Sequence, residues 1–485
     1  MSDDVFLNIP AGSVDGLDDP IVIQQLQDLQ DVFNYHQSKN ELKERYYEGH
    51  VTLGEVNLGI ALPEGLKRFE IGCEWGAKAV DVLASRSMFD GYVSSNGNEA
   101  DVMTRIMTDN RMRAEYIKAC RDELKFGCAF ATLSSDPVAG CRIRFHSPRT
   151  AAALWDGSKG RIGCGLAIID TRKDESDHKW RPSIVNLYTD TDIWVLTRVG
   201  SRWYAERHQN KMGRPLMEPM VWNATSSKPF GRSRLKYSVR GLIQGYVRTV
   251  ALATIGLEFA AAPQKYLLGI TDEQYDAMIS QKFKSYIGSM LMATTNPDTG
   301  AVPNFGQLAQ QSIQPQVDMM RVLATQFSAA TGLSVTDTGV INDANPTSSD
   351  AIIAQTQSLI TMAEQLNAGN GDSLTMIAKM AEAIARNVTL DELTDDENDV
   401  IPHFKNPAMP SIASTADAAV KIASCRPDFS NTDIFLEMVG FDQADIRRIK
   451  AQERKTRGTN VLMNEIQTGE NSPSGNDEQA NDNSM

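Results

Sequence analysis

The chain has 485 residues, 41% hydrophobic and 23% charged, a globular composition rather than a disordered or fibrous one. Its 48 basic and 62 acidic residues leave a formal charge of −14, which excludes a protein that coats nucleic acid or an anionic membrane with its whole surface. Length alone predicts about two to four domains with material for a real core.

Residues 1–27 are expected to form a flexible arm, because Met1 to Pro20 is polar and rich in Gly and Asp. Periodicity predicts helices over Val22 to Tyr47 and Leu66 to Arg86, the second with Phe69, Ile71, Trp75, Ala79, Val82 and Leu83 as its apolar residues. A third helix is predicted from about Ala100 to Phe126. From Ala129 to Trp222 the period shortens to strands, broken at Asp136-Pro137, Asp156-Gly157, Asp190-Thr191-Asp192 and Gly200-Ser201. Helices followed by strands make an α+β first half, and the whole chain reads as α+β, predominantly helical.

The second half changes character. Leu235, Val239, Leu242, Tyr246, Thr249, Ala253 and Gly256 follow a helical packing seam. Gly241, Gly245 and Gly256 are poor helix formers, so they imply close approach by a neighbouring helix. Tyr266 to Gly269 is strand-like, Asp272 to Phe283 helical, and Val317 to Ala330 a further helix. A polar loop, Ser334 to Ser349, precedes a long helix that is expected to be interrupted at Gly369-Asn370-Gly371. Asp391 to Asp399 places six carboxylates in nine residues and reads as a solvated loop. Helices over Thr415 to Ser424 and Asn431 to Arg457 follow, and residues 458–485 are expected to be disordered.

No catalytic motif emerges. There is no phosphate-cradling G-x-x-x-x-G-K-[ST], no H-E-x-x-H and no G-x-S-x-G, and the glycines between Gly157 and Gly165 have the wrong spacing for a dinucleotide turn. The six histidines are scattered, and Asp190-Thr191-Asp192 sits where a turn between strands wants Asp. Six cysteines show neither C-x-x-C spacing nor a disulfide framework. The N-terminus lacks a signal-peptide pattern. The longest apolar stretch, Thr249 to Pro263, contains Glu258 and is shorter than the roughly twenty residues a membrane span needs. The expectation is a soluble non-enzyme, cytoplasmic when made, with no metal, no cofactor and no membrane partner.

Charge is distributed unevenly. Ser201 to Leu257 carries ten basic and two acidic residues, a local +8, with Arg232, Lys236, Arg240 and Arg248 at multiples of four. That stripe fits either stacked positive layers facing DNA or a solvated, ion-paired face. Ala301 to Asn370 has one basic residue, Arg321, against Asp318, Asp337, Asp343, Asp350 and Glu364.

Several runs, in order, resemble tailed-bacteriophage portal (head-to-tail connector) proteins of the siphophage type. They are Tyr46-Tyr47-Glu48-Gly49, the run Cys73 to Asp81, Lys125-Phe126-Gly127-Cys128-Ala129-Phe130 and Phe145-His146-Ser147-Pro148. Further along come Pro229-Phe230-Gly231-Arg232-Ser233-Arg234-Leu235, Ala262-Pro263-Gln264-Lys265-Tyr266-Leu267-Leu268-Gly269, Asn345-Pro346 and Pro410-Ser411.

The resemblance implies a wing over residues 28–235, a first stem helix over 236–262, a clip over 263–313 and a second stem helix over 314–331. A tunnel loop over 332–349, a long interrupted helix returning to the wing over 350–410 and a crown over 411–457 would complete it. It further implies a twelve-subunit ring at one capsid vertex that conducts double-stranded DNA during packaging and ejection. The partners it implies are the terminase large subunit, a head-to-tail adaptor, the major capsid protein and scaffolding protein, with location in the virion and in host cytoplasm during assembly. Channel candidates are Asp337, Asn342, Asp343 and Asn345 with Arg232, Lys236, Arg240 and Arg248. Subunit contacts fall to Leu235, Val239, Leu242, Gly245, Tyr246 and Ala253, and motor or adaptor docking to Lys282, Lys284 and Tyr286. The competing reading is a DNA-binding or DNA-processing protein that uses the basic 201–257 segment.

Overall fold

In a computed structural model, the residues described are 6–51, 71–94, 101–174, 178–261, 265–269, 271–273, 276, 300, 302, 304–307, 312–340, 349–408, 412–441 and 445–456. The fold is mixed: of the described residues, 51% are helical and 23% strand. It divides into two compact units, Met1–Pro407 and Ala408–Met485.

The segment before the first helix is no loose arm. Leu7, Ile9, Ala11, Val14 and Leu17 are buried, and Gln30 and Asn34 each hold a backbone N–H and carbonyl there, at Ile9 and Leu7. Their irregular spacing hid this apolar content among Gly and Asp. Helix α1 (Pro20–Tyr47) starts with Asp19 as cap, its carboxylate accepting the Ile21 N–H at 2.9 Å. The order continues with α2 (Trp75–Ala84), β1 (Phe89–Val93), α3 (Asp101–Asp109) and α4 (Met112–Phe126). The predicted third helix is thus two. Arg111 adopts a left-handed φ of 51°, and Asn110 leaves the helix to bond the Cys141 carbonyl and the Ile143 N–H.

Strands β2 (Cys128–Asp136), β3 (Gly140–His146), β4 (Ala151–Asp156), β5 (Arg161–Lys173), β6 (Trp180–Tyr188), β7 (Asp192–Val199), β8 (Arg202–Gln209) and β9 (Met217–Val221) form two antiparallel sheets. Their orders are β3-β2-β9 and β4-β5-β6-β7-β8. Alternating residues such as Val185, Leu187, Trp194 and Leu196 meet Leu26, Leu29 and Phe33 of α1 in one core. At the Asp190-Thr191-Asp192 turn, Arg207 clamps Asp192 at 2.7 and 2.9 Å and Lys159 holds Asp190 at 2.6 Å. Protein cations thus pair with both carboxylates of this turn between β6 and β7.

Helix α5 (Tyr237–Ala261), β10 (Lys265–Leu268), β11 (Asn304–Gln307), α6 (Gln314–Thr331) and α7 (Ser349–Arg386) follow. Strands β10 and β11 pair antiparallel. Helix α7 runs unbroken through Gly369-Asn370-Gly371, against expectation. Asn370 is fully buried and its amide bonds Tyr116 and Glu123 of α4, so this polar residue is a packing contact, not a breaker. The acidic run is likewise ordered. Thr389 with Glu392 and Thr394 with Glu397 form capping boxes, the second opening α8 (Asp395–Asn398), and Glu397 pairs with Arg386. Strand β12 (Ile401–Phe404) closes the unit by pairing with β1.

The second unit contains α9 (Ile412–Cys425), α10 (Asp433–Val439) and helical residues 445–456. Phe429 packs edge-on against Phe435, and Lys450 reaches Asp433 at 2.6 Å.

Candidate functional site

Helices α5 and α6 form an antiparallel pair. A row at spacing four on α5, Leu235 (just before it), Val239, Ile243, Val247 and Ala251, is buried. Leu323, Ala324 and Phe327 of α6 are buried in the same core cluster as the first four. Gly245 permits the approach: a Cβ there would lie 3.3 Å from the Leu323 Cδ2. The Trp75 indole stacks on Tyr246 at 4.2 Å, lies 4.7 Å from the Phe327 ring and donates its N–H to the Thr338 carbonyl at 3.0 Å. One side chain therefore joins α2, α5, α6 and the turn beyond α6.

The residues expected at subunit contacts also pack within the chain. Leu235, Val239 and Ala253 are buried within the chain, Leu242 and Tyr246 pack against the same core, and Gly245 faces Leu323. The partner of the seam is a helix far downstream in the same chain. Exposed apolar residues that the seam pattern missed are Tyr237 and Leu257 on α5 and Met319 and Val322 on α6. They were legible only as apolar residues outside that row.

The cations of the basic segment differ in exposure. Arg207 and Arg214 pair with Asp192 and Glu218. Arg240 donates to the Leu235 carbonyl at 2.7 Å with its guanidinium 5.8 Å from the Tyr46 ring centre. Arg232, Lys236 and Arg248 are exposed. Arg234, out of step with the four-residue row, is buried. Its Nε and Nη2 donate to the Ala79 and Thr331 carbonyls at 2.5 and 2.6 Å. Burial pulls its pKa down to about 10.

Beyond α6, Gly332 ends the helix with a left-handed φ of 71°. Ser334 then caps a short turn, Val335–Thr338, in which Asp337 accepts the Ser334 N–H at 3.1 Å and its hydroxyl at 2.8 Å. The polar loop is thus structured at its start and anchored by Trp75.

A family model described as phage portal protein, SPP1 Gp6-like, matches residues 19–458. The chain belongs to the phage portal family. Two solved structures are similar to this portal chain: the neck of an empty GTA particle computed with C6 symmetry, and the neck of a native GTA particle computed with C12 symmetry. They are 12% and 10% identical, cover 77% and 76% of this chain and 89% of their own chains, with TM-scores of 0.42 and 0.40. No curated protein matches. The portal family is structural, not catalytic.

Among the described residues of this portal chain, no group of three His, Cys, Asp or Glu is placed to hold a metal ion. No described helix is long and apolar enough to cross a membrane. Of the channel candidates, Asn342, Asp343 and Asn345 lie outside the described residues, as do Lys282, Lys284 and Tyr286.

Proposed function

We propose that this portal chain closes into a twelve-subunit ring at one vertex of the capsid. The ring forms the channel for double-stranded DNA during packaging and ejection, docking the terminase large subunit and later a head-to-tail adaptor. In this reading residues 28–235 are the wing, α5 and α6 the stem, residues 263–313 the clip, 332–349 the tunnel loop and 411–457 the crown. The virion is the site of action, with assembly in host cytoplasm beside the major capsid and scaffolding proteins.

The observation that carries the reading, beyond family membership, is the α5–α6 pair. Its inner face is consumed within the chain, while Tyr237, Met319 and Val322 remain exposed together with Lys236 and Arg248. A closed ring needs such unlike outer faces, one apolar enough to meet a neighbour. The mildly acidic, Ser/Thr/Asn-rich loop suits a passage along which phosphates must slide rather than bind. Electron microscopy of the purified chain tests the proposal. Twelve-fold rings with a central hole are expected, and compact monomers at all concentrations would overturn it.

A further inference from the structure

A cavity of about 600 Å³ opens where the C-terminal end of α6 meets α7 and the segment leading into α5. Its wall carries two cations, Arg234 and Lys236, and no carboxylate among the described lining residues. Arg234 is 6% exposed, and its hydrogen bonds go to neutral acceptors: the Ala79 and Thr331 carbonyls and, at 3.6 Å, the Met362 sulfur. Lys236 is exposed at the rim, with no ion pair to any described residue. The rest of the wall includes Trp222, Met362 and Leu366.

A buried cation without a counter-charge is costly, and the negative end of the α6 dipole at Thr331 offsets only part of that. The cavity is as large as those that enclose whole drug-sized ligands, too roomy for a lone ion. A DNA duplex is too broad to bring a phosphate to the buried Arg234. An occupant that suits both the cations and the apolar wall is a segment bearing one acidic side chain among apolar ones. With 62 acidic against 48 basic residues, the chain itself has such acids in excess.

We propose that this cavity receives a carboxylate from a second copy of the chain, so that Arg234 and Lys236 complete their charge pairing only across a subunit boundary. The inference rests on the ring reading above and adds the contact that the ring would make here.

Rings of full-length chains, mixed from light and heavy-nitrogen-labelled protein, are treated with a carbodiimide, which joins an amine to a touching carboxylate as an amide. Peptides containing Lys236 should be found joined to an Asp or Glu peptide of the opposite label, and Lys236→Gln should abolish that product. Lys236→Glu should weaken ring association about tenfold at low salt, with unchanged thermal unfolding of the unassembled chain as the folding control. Ala330→Trp, which fills the cavity from the exposed side of α6, should lower ring yield as well.

Wild-type rings that give no mixed-label Lys236 product, or normal ring formation in both Lys236→Glu and Ala330→Trp, overturn the proposal and leave the ring reading standing. A wild-type chain that forms no ring overturns both. Saturable binding of inorganic phosphate, lost in Lys236→Glu while rings stay normal, would mark a free-oxyanion site and overturn it too.

Discussion

Asn370, midway along α7, donates its side-chain amide to the Glu123 carboxylate of α4 at 2.8 Å, and both residues are buried. The titratable groups that face Glu123 are Tyr116 and Cys120 on α4 and Cys128 on β2, none of them a cation. Burial therefore pushes the Glu123 carboxyl up to about 8, against the opposing pull of the Asn370 amide. The folded chain keeps a proton that the unfolded chain releases above about 4.5. The resulting stabilisation is complete below that pH and is lost as pH rises to about 8.

Glu123→Gln makes the group neutral at every pH and keeps an oxygen for the Asn370 amide. The variant should unfold at a temperature that changes less between pH 5 and 8 than the wild type's, with the largest gain at the alkaline end. Thermal unfolding across a pH series measures this. Parallel curves for the two proteins would show that Glu123 does not carry the linkage.

At Gly245, an added side chain meets the chain's own α6, since Leu323 lies 3.3 Å from the Cβ position. Gly245→Leu should destabilise the unassembled chain by about 1–3 kcal/mol through overpacking. Denaturant midpoints of the monomer decide it. A wild-type midpoint with failed assembly would restore Gly245 to a subunit boundary.

How far this was readable from residues differs by element. The α+β order, the strands from Ala129 to Trp222 and the α5 periodicity follow from local patterns, and the structure contains them. The partner of the α5 seam was not readable, because a row of apolar residues says that a helix packs without saying against what. Gly369-Asn370-Gly371 looked like a break because propensity counts against all three residues. Contacts with Glu123 and Tyr116, distant in sequence, override it. Arg234 sat unnoticed inside a run of exposed cations, since burial is set by the fold and not by residue type.

Arg234→Met should show what the buried guanidinium does for the fold. It removes two charge-assisted hydrogen bonds and leaves the Ala79 and Thr331 carbonyls without those donors. A loss of about 2–4 kcal/mol is expected. Arg234→Lys should recover only part of it, because one ammonium lacks the planar fork that reaches both carbonyls. Calorimetric unfolding of the three proteins is the check, and a fully stable Met variant would refute the bridging role.

Asp337 joins two roles that a charge-reversal experiment must separate. Its carboxylate caps the turn at Ser334, and in the proposed ring it repeats around the passing DNA. Asp337→Asn removes the charge but retains an oxygen that accepts the Ser334 N–H, whereas Asp337→Lys removes both. If the loop keeps DNA sliding by repelling phosphate, Asp337→Lys rings should package DNA more slowly at low salt, with Asp337→Asn between them and the wild type. Added salt should relieve the slowing, because exposed charges are screened over about 8–10 Å at 0.1–0.15 M. A slowing that persists at high salt in Asp337→Lys alone would instead reflect the lost cap. Packaging rates across a salt series, with ring yield as the folding control, distinguish these outcomes. Equal rates for all three proteins at every salt would end the electrostatic account and leave the turn as a strut held by Trp75.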